Sequence, residues 1–317
     1  MTQARDFSLS FSPDLAEEAV LLAVAGRAEE PSFRRARDPI YRLAPEDRES
    51  AFTQLHQNWL LRLSLDRPVR LALDELPELA EATARCLVSR AFSRTDETVD
   101  LLVALEEPTR SGRSILIRVR ATALQDGSKL LGWLRSELLK VSDMLDPSFG
   151  YEPALPVSGD PAGERLARER YRALWEVSAT GRLMRRGTAA PEASDVARRT
   201  FVAAFPMLRE TRDENFRRFF TGEVHTHAEW AAFATAPGGT DESASLVPGG
   251  RCPLCRFPTH APEPAPQSLS PEVVTRIVLD FPTWRVSAGL CRQCADLYRT
   301  EGLSRRALAE LPGAVAS

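Results

Sequence analysis

Four cysteines in two tight pairs are the residues most able to do chemistry in this chain. They are Cys252-Pro253-Leu254-Cys255 and Cys291-Arg292-Gln293-Cys294. A Cys-x-x-Cys spacing lets two thiolates reach one tetrahedral ion at about 2.3 Å, and two such pairs close together complete its coordination. The pattern predicts one zinc ion held by Cys252, Cys255, Cys291 and Cys294, with no position left open for water or substrate, so the zinc should stabilise a fold and catalyse nothing. Two separate redox pairs, a disulfide, or His260 in place of one cysteine are the competing readings. Helical residues follow Cys294, through Ala295-Asp296-Leu297-Tyr298, and Gly302 is the expected stop. A helix N-terminus favours the anionic form of a thiol placed there, and Arg292 adds to that effect.

A knuckle carrying one pair and a helix start carrying the other resembles treble-clef zinc fingers, over residues 250–312. The chain departs from compact fingers in the long stretch between the pairs. That stretch contains Pro262 to Pro266 and then Ser270-Pro271-Glu272, the start of an amphipathic helix using Val273, Val274, Ile277 and Val278. An inserted helix packed on the zinc module is expected.

A second resemblance concerns Ser136-Glu137-Leu138-Leu139-Lys140. Placed on a helix after a β-hairpin, it is similar to the His-Glu-x-x-His helix of zincin metallopeptidases, over residues 95–186. The resemblance implies that Glu137 matches the general base while Ser136 and Lys140 occupy the ligand positions. Glu176, in Leu174-Trp175-Glu176-Val177, would be the remnant of a third ligand. Zinc needs neutral imidazoles and an ammonium repels it, so this site should hold no metal. Lys140 lies three residues from both Glu137 and Asp143 and should pair with a carboxylate. An ordinary amphipathic helix with Glu137 and Lys140 as a solvated pair is the alternative.

Other residues carry less. His225-Thr226-His227 offers two metal donors, yet Thr226-His227-Ala228-Glu229 has the form of a capping box before Trp230 and Phe233. His56 sits beside an apolar stripe, and Cys86 reads as a small core residue. Arg165, Arg168, Arg170, Arg172, Arg182, Arg185, Arg186, Arg198, Arg199, Arg217 and Arg218 would suit phosphates, but acids are interspersed among them, as on solvated helix faces. No phosphate loop, dinucleotide fingerprint or serine-nucleophile elbow occurs.

These residues need elements to hold them. With 317 residues the chain has room for about two domains, and its net charge of −3 lacks the footprint of a dedicated nucleic-acid binder. Lysine occurs only at Lys129 and Lys140, an arginine bias expected of a GC-rich genome. Ala19 to Ala25 is too short to span a bilayer, and the cysteine usage suits a reduced compartment, so a cytoplasmic protein without a membrane span is expected.

Ser12-Pro13-Asp14 predicts a helix to about Glu29, Pro45-Glu46-Asp47 a second with Phe52, Leu55, Trp59 and Leu63 inward, and Pro77 a third through about Val88. Val99–Leu105 and Ser114–Arg120 read as an antiparallel hairpin. The next helix runs from Lys129 to about Leu145 with Leu131, Leu134, Leu138, Val141 and Leu145 buried. Helices from Pro161 to about Arg186, from Pro191 to near Pro206 and after Thr226 follow. The expected organisation is α+β: a mostly helical domain over 1–236, a Gly/Pro linker over 237–250 and the zinc finger over 251–317. The leading expectation is a non-catalytic protein that presents or receives a protein partner. A nucleic-acid-binding zinc protein is the second, and a divergent hydrolase using Glu137 the third.

Overall fold

Ser8-Leu9-Ser10-Phe11 alternates polar and apolar residues, and it forms the first strand, β1 (Ser8–Phe11). Proline at the first helical position then opens α1 (Pro13–Val24). The helix does not reach Glu29: Gly26 takes a left-handed φ of 69°, which glycine adopts without steric cost, and α2 (Glu30–Arg37) starts anew. Next come α3 (Pro45–Arg62), α4 (Arg67–Asp74) and α5 (Pro77–Ala82). The third helix stops six residues before the expected Val88, because Arg85 to Arg90 form strand β2 (Arg85–Arg90). β3 (Thr98–Val103) and β4 (Arg113–Val119) are the expected antiparallel pair. After them stand α6 (Gly127–Leu145), α7 (Pro161–Arg185), α8 (Ala193–Ala204), α9 (Arg212–Thr221) and α10 (His227–Thr235). The last helices are α11 (Pro271–Asp280) and α12 (Arg292–Ala309), which continues past Gly302. An interior glycine costs about 1 kcal/mol relative to alanine, too little to stop a helix continued by Leu-Ser-Arg-Arg-Ala-Leu-Ala.

This computed structural model describes residues 7–106, 109–155, 161–223, 226–237, 246, 249–282 and 284–309. Most of the expected linker, and His225, lie outside them. Contacts divide the chain into two units, Met1–Thr235 and Ala236–Ser317.

In the first unit the fold is α+β, with a four-stranded sheet in the order β1-β2-β4-β3. β1 pairs parallel with β2 and β2 parallel with β4, so the hairpin is one edge of a larger mixed sheet. Cys86, Val88, Ile115, Ile117 and Val119 turn one face into the core, where they meet α1, α3, α4 and α6. On the other face, Arg118 donates to Thr98 and Asp100 at 3.1 and 3.0 Å, and Arg85 donates to Ser114 at 3.0 Å. One buried and one polar face is the usual state of a sheet with an antiparallel edge.

A second core, rich in aromatics, joins α7 to α8, α9 and α10 through Phe149, Trp175, Phe201, Phe205, Phe219 and Trp230. Gly181 permits the crossing of α7 and α9: a Cβ there would stand 1.9 Å from the carbonyl oxygen of Phe220, a distance only glycine avoids. The second unit has its own small core around Val273, Ile277, Trp284 and Leu290. Among the described residues no helix is long and apolar enough to cross a membrane.

Candidate functional site

Local backbone geometry brings the two cysteine pairs together. Around the first, Cys252 N–H donates to Phe257 O at 3.0 Å and Arg256 N–H to Cys252 O at 2.8 Å, which folds the chain into a knuckle. Arg256 takes a left-handed φ of 64° at its turn. The second pair stands at the start of α12. A short ladder joins the two parts: Arg292 N–H donates to Ala261 O at 2.9 Å and Glu263 N–H to Leu290 O at 2.8 Å. The buried Glu263 carboxylate accepts from Arg299 of α12 at 3.0 Å, and that guanidinium holds Glu263 below the ordinary carboxylate value.

The four cysteines, 252, 255, 291 and 294, form a cluster whose ligand atoms all lie within 4.8 Å of one another, so they could bind one metal ion. Sγ of Cys252 stands 3.9 Å from that of Cys294, and Sγ of Cys255 stands 3.9 Å from that of Cys291. A tetrahedron with metal–sulfur bonds of about 2.3 Å has edges of about 3.8 Å. The spacing therefore fits a four-thiolate cage, whereas a disulfide needs about 2.05 Å. His260 is exposed and is not part of the cluster.

The donor set also suits a cation. Burial opposes ionisation of Cys252, yet the amides of Cys291, Cys255 and Leu254 and the Cys291 thiol outweigh it and bring this thiol down to about 7. Burial pushes Cys291 and Cys294 up. Four thiolates cannot share this space without a central positive charge, and a divalent ion supplies it.

In the first unit, α6 is capped as its sequence suggests, with Asp126 accepting from Lys129 N–H at 3.3 Å. Lys140 donates to Glu137 at 2.7 Å and to Glu176, brought alongside from α7, at closer range. Its side chain is 14% exposed. Burial weakens the lysine's hold on its proton, but the charges of Glu176 and Glu137 outweigh it and keep the group above its ordinary value. Ser136 is half-buried on the same helix.

Asp143 does not join Lys140. It is buried and accepts two bonds from Arg182 at 2.6 Å and one from Trp175 at 2.7 Å, clamping α6 to α7. The sequence held no direct signal for this partnership, because Arg182 lies 39 residues away.

No protein-family model, curated protein or solved structure matches this chain.

Among the described residues His227 joins no group that could hold a metal ion. It begins α10, where Thr226 and Glu229 form the reciprocal cap, Thr226 N–H donating at 3.1 Å and Glu229 N–H at 3.3 Å. Its Nδ1 lies 2.7 Å from the hydroxyl of Tyr171. His56 is buried between the rings of Phe33 and Phe52. Burial lowers both histidines below their ordinary 6.5, with Glu152 and Glu17 opposing it. The unfolded chain therefore takes up protons first as pH falls, and stability that is full above 6.5 is lost as pH drops through the lowered folded values. The urea midpoint should fall between about pH 7 and about pH 5, and a His56→Gln/His227→Gln double variant should flatten that slope. A wild-type midpoint constant across this range would contradict the assignment.

Several of the arginines grouped in the sequence are paired with acids, Arg168 with Glu164 at 3.6 Å, Arg198 with Asp213 at 2.6 Å and Arg217 with Glu223. Such pairs weaken any uniform positive field.

Proposed function

We propose that this protein is a zinc-stabilised, non-catalytic interaction protein, with a treble-clef-like finger at its C-terminal end and a metallopeptidase-like core that holds no metal. The observation that carries this reading is the sulfur cage, whose four corners use every position of a tetrahedral ion and leave none for a reactant. Zinc bound there supplies cross-linking of two distant segments and nothing more. A knuckle for the first pair and a helix start for the second support the finger type.

The clasp of Glu137, Lys140 and Glu176 supports the metal-free core. An ammonium lies between two carboxylates that a cation would otherwise need, and Glu137 is already engaged as an acceptor, so it is no free base. For the partner, β3 ends the sheet with Leu102 and Val103 half-exposed, and an extended polypeptide adding as a further strand is the mode such an edge admits.

Element-resolved metal counting on the full chain tests the proposal. One zinc per chain, none in a variant with all four cysteines replaced by serine, and no peptide turnover sensitive to Glu137→Gln are expected. Iron in place of zinc, or turnover abolished by Glu137→Gln, would sink it, because a tetrahedral four-sulfur site also suits iron.

A further inference from the structure

A surface cavity of about 250 Å³ opens between α7, the start of α10 and the segment after α6. Its lining includes Tyr151, Tyr171, Trp175 and His227, and the last three of these are buried. None of Glu137, Lys140 or Glu176 lines it, so it is separate from the lysine clasp. Three charged residues also line it: Arg168 and Arg172, one turn apart on α7, and Glu152. Arg172 forms no ion pair among the described residues, and Arg168 has only the 3.6 Å contact with Glu164.

Burial holds the phenol of Tyr171 in its protonated form and the imidazole of His227 in its neutral form. The Tyr171 hydroxyl and Nδ1 of His227 share a hydrogen bond of 2.7 Å, in which either group can donate. The cavity thus offers an aromatic wall, two guanidinium groups as donors and one carboxylate as acceptor. Its volume falls below the roughly 300–1,000 Å³ that drug-sized ligands occupy. That suits a ligand with one ring.

We propose that this cavity binds a free amino-acid zwitterion with an aromatic or large apolar side chain. The α-carboxylate pairs with Arg172 and Arg168, the α-ammonium pairs with Glu152, and the side chain lies against Tyr151 and Trp175. Each charge on the ligand has a counterpart, and the neutral part has an apolar wall. A carboxylate without an ammonium leaves Glu152 facing an anion, and an amine without a carboxylate leaves both arginines unanswered. The inference is independent of the metal reading and uses no residue of either cysteine pair.

Isothermal titration of the full-length protein with L-phenylalanine tests it, alongside N-acetyl-phenylalanine and phenylalaninamide, which lack the ammonium and the carboxylate charge respectively. Saturable binding of phenylalanine is expected, with both analogues weaker by at least about tenfold. Arg172→Ala and Glu152→Gln, at exposed positions, should each weaken binding of phenylalanine by about tenfold while the thermal midpoint stays unchanged. A peptide ending in phenylalanine has the carboxylate alone and should behave as the acetylated compound does. No saturable heat up to about 10 mM, equal affinity for all three compounds, or indifference to both substitutions overturns the proposal.

Discussion

Replacing Cys291 by serine is expected to abolish metal binding by the four-cysteine cluster and to unfold the segment from Gly249 to Ala309. The expected size of the effect follows from how little else holds this segment. Besides cysteines, its described core has seven buried side chains, Leu254, Leu269, Val273, Ile277, Trp284, Leu290 and Ala295. A core of this scale supplies about 3–5 kcal/mol at most. Structural zinc in small finger peptides is worth about 10–16 kcal/mol, so losing one ligand removes more than the remaining contacts can restore. Metal content should drop from one zinc per chain to none, and amide hydrogens across this segment should exchange at unfolded-chain rates. A variant that keeps its amide protection without bound metal would refute the assignment. Serine at 291 also tests the inner wiring, because the Cys291 amide donates to Cys252 Sγ at 3.3 Å and should lose that role when the cage opens.

In the first unit the largest effect belongs to Asp143→Ala. Its side chain is 5% exposed, and it meets Arg182, itself 17% exposed, in a two-pronged bond. Removing the carboxylate leaves a guanidinium mostly out of water with no counter-charge, and Trp175 loses its acceptor. Breaking one member of such a buried pair costs about 3–5 kcal/mol, a large share of a domain's total of about 5–15 kcal/mol. Removing both charges should cost much less, since well-packed apolar replacements of buried pairs are often neutral. Urea unfolding of Asp143→Ala, Arg182→Met and an Asp143→Leu/Arg182→Met pair measures this coupling directly. A loss under about 1 kcal/mol for Asp143→Ala would show that the clamp contributes little.

The cysteine cluster was legible because metal chemistry imposes a spacing that nothing else in the chain imitates. The capped start of α6, the β3–β4 pair and the Thr226 cap were legible too, since each signal spans a few neighbouring residues. Arg85 to Arg90 went unread as a strand because they follow a helical run after Pro77. Their alternation of exposed Arg85 and Leu87 with buried Cys86 and Val88 was present, though only four residues long. Parallel pairing of β1 with β2 leaves no local mark at all, since neither strand carries a turn leading to the other. The same holds for Asp143, whose meaning depends on a guanidinium from another helix. Sequence spacing offered Lys140 either Glu137 or Asp143; the lysine pairs with Glu137, and the packing of α7 beside α6 adds Glu176 to it and gives Arg182 to the aspartate. The aromatic cavity has contributions from three separate stretches and no motif of its own.

Ser8 of β1 lies opposite Arg85 of β2, 77 positions later. A ribosome adding roughly 5–20 residues per second takes roughly 4–15 s to make the interval. For that interval the amides and carbonyls of the first strand have no partner strand to pair with, and β2 in turn waits for β4. Completion of the sheet must therefore trail translation of Val119, and arrested chains shorter than this should depend on chaperones to keep Leu9 and Phe11 from joining the wrong neighbour.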